Sequence, residues 1–204
     1  PQRFAPTAST PTDPTPRIPI PAADMAGTLA VTGDADADRL LNHDPLALMI
    51  GMLLDQQIAI ELAFLGPARL AQRLGGQLDA DVIASMPPDD FVEICRTKPA
   101  LHRFPASMAG RIQDMCRHIV DRYEGDTAAI WRRVRRAEKV RDRLLEVPGF
   151  GPDKVQIFMA LLAKRFGRRP LGWEDEAGVF ADGELRSVAD LDSREALVAL
   201  REKR

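Results

Sequence analysis

The chain has 204 residues, of which 45% are hydrophobic and only 5% aromatic, with a formal net charge of −2. That length suffices for one sizeable core, or for two small lobes that share one. The longest apolar stretch, Leu46 to Leu54, falls well short of the ~20 residues that a membrane span needs, so we expect no membrane segment.

The N-terminal end is rich in proline. Residues 1–16 carry five prolines and almost no large apolar side chains, which predicts a disordered tail or a linker.

Asp34 is typical of a helix N-cap, and its helix is predicted to end near Asn42. Asp44-Pro45 predicts a second helix start, because an acid caps the helix and proline fits its first position.

The segment from Pro45 to about Phe64 is apolar nearly all round, which predicts a central, buried helix. Asp55, Gln56 and Gln57 interrupt it. Burying such groups without partners costs a few kcal/mol, so we expect them at an opening.

Valine, isoleucine and threonine never form alternating blocks, which predicts an all-α fold. Further helices are predicted from Gly66-Pro67 to Gly75-Gly76, over 79–86, 88–96 and 107–123, and from Asp126 to about Arg136.

The charges are distributed unevenly along the chain. Residues 96–169 hold 18 basic and 8 acidic residues, net +10, whereas residues 1–95 are net −8 and residues 170–204 are net −4. A basic segment within an acidic protein is typical of a surface that binds phosphate. A solvated helical face would give the same charges, so both interpretations stay open on charge alone.

A tight turn interrupts the helical pattern within residues 140–166. It reads Val147-Pro148-Gly149-Phe150-Gly151, and Pro152 then begins a second helix. Gly149 and Gly151 can both adopt positive φ and leave their amides bare. Together with the first amides and the dipole of the second helix, they would bind a phosphate without reading sequence. The candidate DNA-binding residues here are Gly149, Phe150, Gly151 and, for its charge, Lys154.

This turn resembles the helix-hairpin-helix of DNA repair proteins, whose usual form is Leu-Pro-Gly-x-Gly. Over about residues 36–175, the order of features is similar to that of the endonuclease III and alkyladenine glycosylase superfamily. Leu54-Asp55-Gln56-Gln57-Ile58 resembles the glutamine-containing helix end from which a side chain enters the gap left by a flipped base. Arg111-Ile112 resembles the start of the long helix ahead of the hairpin. Gln56, Gln57 and Arg111 therefore join the DNA-binding candidates.

The resemblance implies a two-lobed, all-α helical bundle that binds double-stranded DNA in base excision repair. One glycosylase-like domain would cover residues 17–204. Its terminal segments, 17–44 and 167–204, would pack as a second lobe.

The resemblance also implies a catalytic carboxylate just after the second hairpin helix. If that helix is slightly longer than usual, Glu174 and then Asp175 come into register, although the family's Val-Asp-Thr-His pattern is absent. Asp153 occupies the position of the Schiff-base lysine of bifunctional members, so no lyase activity is expected by that route. Asp153 either faces the pocket or complements the helix dipole. Asp55, beside the expected gap, either serves as the carboxylate or has a structural role.

The cysteines and histidines do not form a ligand pattern. Two cysteines, Cys95 and Cys116, are too few for an iron–sulfur cluster, which needs about four thiolates, and there is no CxxC for zinc. We expect no metal centre, and thiols kept reduced in the cytoplasm, with association to the nucleoid if the source is bacterial. A monomer is expected. The family resemblance implies a monovalent cation under the hairpin, bound by backbone carbonyls.

The function predicted is that of a monofunctional DNA N-glycosylase acting on a damaged base. A non-catalytic helix-hairpin-helix module that binds DNA is the first alternative. A helical interaction domain that presents its basic face to an acidic protein is the second.

Overall fold

The structure, a computed structural model, describes residues 25–203. Within this range no strand forms, and one isolated bridge joins Arg136 and Leu171. The all-α prediction is confirmed, whereas the predicted tail over 1–16 lies outside the described residues. The α-helices are α1 (Ala35–His43), α2 (Pro45–Leu54), α3 (Ile60–Arg73), α4 (Ala80–Ser85), α5 (Pro88–Arg96), α6 (Pro105–Tyr123), α7 (Ala137–Leu145), α8 (Pro152–Arg165), α9 (Trp173–Ala177) and α10 (Arg194–Glu202).

Aspartate caps begin the first two helices, as predicted. The Asp44 carboxylate accepts the backbone N–H of Leu46 at 2.8 Å and that of Ala47 at 3.1 Å, and Pro45 occupies the first position of α2. Asp34 caps α1 in the same way. These bonds satisfy amides that have no acceptor within the helix, which explains why both starts are readable from sequence.

The long helix predicted from Pro45 to Phe64 is interrupted, and that prediction is wrong beyond Leu54. Residues 55–59 form a loop in which Gln57 adopts a left-handed conformation with φ of 55°. Residues 46–54 of α2 are all buried. Continuing the helix through three polar residues would carry them into the same core without partners, so the chain turns outward instead.

The helix start predicted at Gly66-Pro67 is also wrong, because both residues lie inside α3. A Cβ atom on Gly66 would overlap Cδ1 of Leu54, so glycine at this position lets α3 pack directly on α2. Pro67 lacks the N–H that an interior helical residue donates, but α3 continues past it. The close approach of two helices, and not a helix boundary, accounts for this Gly-Pro pair.

The helices predicted over 79–86, 88–96 and 107–123 form as α4, α5 and α6, with shifts of at most two residues at their ends. The basic helix predicted from Asp126 to Arg136 is wrong. Only one 3₁₀ turn forms there, over Thr127–Ile130, and Arg133 has a left-handed φ of 61°. Residues 132–136 contain four arginines and a single valine, so no apolar face exists to hold a helix against the core.

The centre of the core is formed by α2 and α8, two helices whose residues are mostly buried. α2 packs against α1, α3 and α6, while α8 packs against α7, α9 and a 3₁₀ turn at Val188–Asp190. Residues 158–163 of α8 are all buried. None of the described helices is both long and apolar enough to cross a membrane.

The segment that precedes α1 packs against the C-terminal part of the chain. The backbone N–H of Thr28 donates to the carbonyl of Arg165 at 3.0 Å, and that of Ala30 donates to the carbonyl of Leu191 at 3.1 Å. The two ends of the described chain therefore meet. A second lobe built from the terminal segments stays a prediction.

Candidate nucleic-acid interface

Backbone hydrogen bonds close the turn between α7 and α8, and the Val147 N–H donates to the carbonyl of Leu144 at 3.1 Å. The Phe150 N–H donates to the carbonyl of Val147 at 3.0 Å, and Gly149 has a left-handed φ of 88°. Gly151, the N-cap of α8, has an ordinary extended conformation with φ of −81°. Of the two glycines, only Gly149 uses the positive φ that is open to both, so only Gly149 is required by backbone conformation.

Gly149 is also required by packing. A Cβ atom at this position would overlap Cδ1 of Leu53, a fully buried residue near the end of α2. The hairpin is therefore seated on the C-terminal end of α2. A Cβ atom on Gly151, by contrast, would have no neighbour within 4 Å among the described atoms.

The tip of the hairpin presents backbone donors to the outside. Gly149, Gly151 and Asp153 are exposed, and no side chain caps the amides at the start of α8. Within the described range the amides of Gly149 and Gly151 donate to no backbone or side-chain acceptor. Uncapped amides at the positive end of a 14-residue helix form a suitable site for a phosphate.

Phe150, a predicted DNA-binding residue, lies in the core instead. Only 4% of its surface is exposed, and its ring packs edge-on against Phe158 with centroids 5.7 Å apart. Its amide is used by the bond to Val147. The Phe150 ring packs beneath the turn and stabilises it, and a contact between this residue and DNA stays a prediction.

Lys154 is directed toward the end of α2 and not toward solvent. Its Nζ donates to the carbonyl of Met52. Burial lowers the pKa of Lys154, while the nearby charge of Asp55 raises it and that of Arg111 lowers it. Lys154 thus satisfies a carbonyl that α2 leaves without an intrahelical donor, and its contact with DNA stays a prediction.

The two glutamines of the α2–α3 loop have different roles. The Gln56 side chain is engaged at both ends: its Nε2 donates to the carbonyl of Leu53 at 2.6 Å, and its Oε1 accepts from Nη1 of Arg111 at 2.8 Å. Gln57 is exposed and forms no hydrogen bond with another described side chain. Gln57 is therefore the glutamine whose side chain is available to a ligand, and Gln56 holds the loop.

Sequence analysis missed His102, treating it as an isolated histidine. It is 4% exposed, and its Nδ1 accepts the backbone N–H of Phe104 at 3.1 Å. The proton must then lie on Nε2, which donates to the carbonyl of Gln56 at 2.8 Å. The adjacent Arg103 guanidinium lies over the Phe104 ring at 4.8 Å, and 47% of Phe104 is exposed. No spacing rule connects residues 46 positions apart, so this bond is not visible in one sequence.

The four candidate carboxylates lie in different environments. Asp55, at the C-cap of α2, lies near enough to Lys154 that its charge raises the pKa of that lysine. Asp153 is exposed in the first turn of α8. Glu174 and Asp175 are exposed on α9, where no described hydrogen bond or ion pair links them to Lys154 or its neighbours.

The predicted residues that the fold brings together are Asp55, Gln56, Arg111, Gly149 and Lys154, which we call the loop–hairpin cluster. α9 packs on α8 and α7 through the buried Ala177, and Arg141 on α7 forms an ion pair with Glu176 at 2.8 Å beside this contact. Glu174 and Asp175, which precede Glu176, are exposed.

The cysteines are buried thiols without reactive character. Burial raises the pKa of Cys95 and of Cys116 to about 12, so both are protonated at neutral pH. Within residues 25–203, no three histidine, cysteine or acidic side chains stand close enough together to bind a metal ion.

Comparisons with known proteins extend these observations. No curated protein matches the chain. Among solved structures, one chain of a "Trapped Endonuclease III-DNA Covalent Intermediate: Estranged-Adenine Complex" is similar at 17% identity and a TM-score of 0.45, covering 75% of this chain and 72% of that one. The profile of the HhH-GPD superfamily base excision DNA repair proteins matches residues 50–197, a range that contains the α2–α3 loop, the hairpin and α9. The chain belongs to the HhH-GPD superfamily of base excision DNA repair proteins.

Proposed function

We propose that this protein is a DNA N-glycosylase of base excision repair that binds duplex DNA through the hairpin and hydrolyses the N-glycosidic bond of a flipped, damaged base. The observation that carries the proposal is the uncapped, exposed start of α8, next to a hairpin that packs on the C-terminal end of α2, directly before the loop that bears Asp55 and Gln57. Phosphate binding at the hairpin would fix the backbone. A base turned out of the stack would then lie near the loop–hairpin cluster.

Asp55 is the carboxylate that we place next to the reacting sugar. Loss of a base builds positive charge on the sugar, and a nearby carboxylate stabilises that charge and orients the attacking water. The interaction of Asp55 with the charge of Lys154 supports its assignment to the cluster. Glu174 and Asp175, in register with the family's catalytic aspartate, are the alternative pair, and Asp153 is the fourth candidate.

The test is a base-release assay on duplexes that carry uracil, alkylated, oxidised or deaminated bases. Release from at least one of them, seen as an alkali-labile site, is expected for the natural protein. Asp55→Asn should abolish release while leaving DNA affinity intact, with Glu174→Gln, Asp175→Asn and Asp153→Asn as matched controls. Absence of an alkali-labile site on every duplex would eliminate the enzymatic proposal.

We also propose that strand cleavage through a lysine Schiff base does not occur. Asp153 stands at the family's lysine position, and the neighbouring Lys154 amine is engaged with the carbonyl of Met52. Borohydride should therefore trap no covalent complex with DNA that contains an abasic site. A trapped complex that disappears in Lys154→Ala would contradict this prediction.

A second candidate function is binding to damaged DNA without catalysis. Glu174 and Asp175 are exposed, and neither side chain forms a hydrogen bond or an ion pair with a described residue that would orient it toward a substrate. This placement favours binding without catalysis. Tight, salt-dependent binding to abasic or bulged duplexes without base release would support this function. Base release that is lost in Asp55→Asn or Glu174→Gln would rule it out.

A further inference from the structure

One imidazole joins the loop before α6 to the α2–α3 loop. His102 precedes α6, and its ring donates to the carbonyl of Gln56 in the α2–α3 loop while accepting the N–H of Phe104 in its own loop. The ring is 4% exposed and lies below the surface. Both of its nitrogens are thus used to connect main chain to main chain.

The segment that His102 holds contains an uncommon backbone conformation. Gln57, directly after the bonded carbonyl, is a non-glycine residue with left-handed φ. Such conformations persist only where the surrounding structure determines them strongly. The Gln56 side chain supplies two of the restraining bonds, to Leu53 and from Arg111, and His102 supplies the bond to the backbone.

We propose that His102 is a positioning residue that fixes the exposed Gln57 side chain for recognition of a disrupted base pair. This inference rests on the proposed function. The hairpin grips phosphate in any duplex, whereas Gln57 can enter the duplex only where a base is missing or extruded. A preorganised loop avoids the entropy cost of ordering on binding, so the bond from His102 strengthens binding to a gap and leaves binding to intact duplex unchanged.

Three substitutions separate the two hydrogen bonds of the ring. In His102→Gln, the amide nitrogen takes the place of Nε2 and can donate to Gln56. In His102→Asn, an acceptor takes the place of Nδ1 and can serve only Phe104. His102→Phe fills a similar volume and removes both bonds.

The measurement is equilibrium binding to two short duplexes of one sequence, with and without a tetrahydrofuran abasic analogue. We expect His102→Asn and His102→Phe to lose about tenfold in affinity for the abasic duplex while binding to the intact duplex changes less than about twofold. His102→Gln should retain the preference. A merely structural role would lower the affinity for both duplexes together, in step with thermal stability, and would overturn the inference.

Gln57→Ala provides a second, surface variant in case the histidine variants fold poorly. It should reduce the abasic preference by itself, and adding His102→Phe should reduce it no further. Independent, multiplying losses would overturn the inference, as would preference retained in His102→Asn but lost in His102→Gln. Failure of the proposed function looks different, because the natural protein would then release no base from any duplex, or bind neither duplex, whichever residue stands at position 102.

Discussion

Two glycines that look equivalent in the sequence differ at the scale of the single residue. Gly149 has positive φ and lies against Leu53, whereas Gly151 has an ordinary conformation that any residue can adopt. Sequence reasoning located the turn because Pro-Gly-x-Gly is specific. It could not rank the two glycines, since the neighbour that distinguishes them is almost 100 residues away in the chain.

This difference predicts unequal effects of alanine. Gly149→Ala should lower the free energy of unfolding by about 1–3 kcal/mol, because it adds backbone strain and an overlap with Leu53. Gly151→Ala should change it by no more than about 0.5 kcal/mol. Urea denaturation of the two variants gives both values, and equal losses would contradict the assigned conformations.

Lys154 predicts a pH-dependent stability difference. Burial lowers the pKa of Lys154 below 10.5, so the folded chain binds this proton less tightly than the unfolded chain does. The free energy of unfolding therefore rises as the pH increases toward 10.5. Lys154→Met removes the buried charge but leaves the Met52 carbonyl without its donor, so the net gain in the free energy of unfolding at neutral pH should be small, below about 1 kcal/mol. The gain should shrink as the pH approaches 10.5 in parallel denaturation curves. A gain that is constant with pH would disprove the buried-charge explanation.

At the scale of the element, boundaries were predictable where a side chain makes them locally. Asp34, Asp44 and the first-turn prolines of α2, α5 and α8 act within one turn of their own position. Boundaries set by packing were not predictable. The break at residues 55–59 depends on what surrounds α2, and the Gly66-Pro67 pair reflects contact with α2 instead of a helix start.

The cap of α2 yields a prediction with two matched variants. Burial raises the pKa of Asp44 above 3.8, although bonds from Ala47 and Leu46 oppose the shift. The folded state then binds the proton more tightly, so stability falls as pH rises from 3.8 through the raised pKa. Asp44→Asn keeps the cap without the charge and should be more stable than the natural protein at pH 7 but not below pH 3.8. Asp44→Ala loses the cap and about 1 kcal/mol.

Thermal melts at both pH values would test the Asp44 variants. If Asp44→Asn were destabilised at pH 7 as much as Asp44→Ala, the negative charge itself would be the stabilising feature, and the burial explanation would be wrong.

At the scale of the whole molecule, the basic segment is only partly neutralised. Within residues 25–203, Arg133, Arg135 and Lys139 have no carboxylate partner. Other arginines of the segment form ion pairs, among them Arg117–Asp114, Arg122–Glu146, Arg132–Asp126, Arg136–Glu138 and Arg141–Glu176. The sequence predicted the charge excess but not which cations remain unpaired, because pairing depends on the fold.

This excess predicts strong salt dependence of DNA binding. Affinity for an undamaged duplex should fall about tenfold or more between about 50 and about 200 mM salt, as expected when several phosphates are neutralised. Titrations by fluorescence anisotropy across that range would give the slope. An affinity that is independent of salt would show that the basic segment does not contact the phosphate backbone.

The close contact between Gly149 and Leu53 has a consequence for the residues that natural variants can carry at position 53. Leu53 never meets solvent, yet its Cδ1 sets how closely the hairpin can settle on α2. A bulkier residue at position 53 would push the turn outward and tilt the amides at its tip. If DNA binding by the hairpin is under selection, Leu53 should be constrained as tightly as any residue on the binding surface. A smaller residue at position 53 should restore a hairpin that Gly149→Ala has displaced.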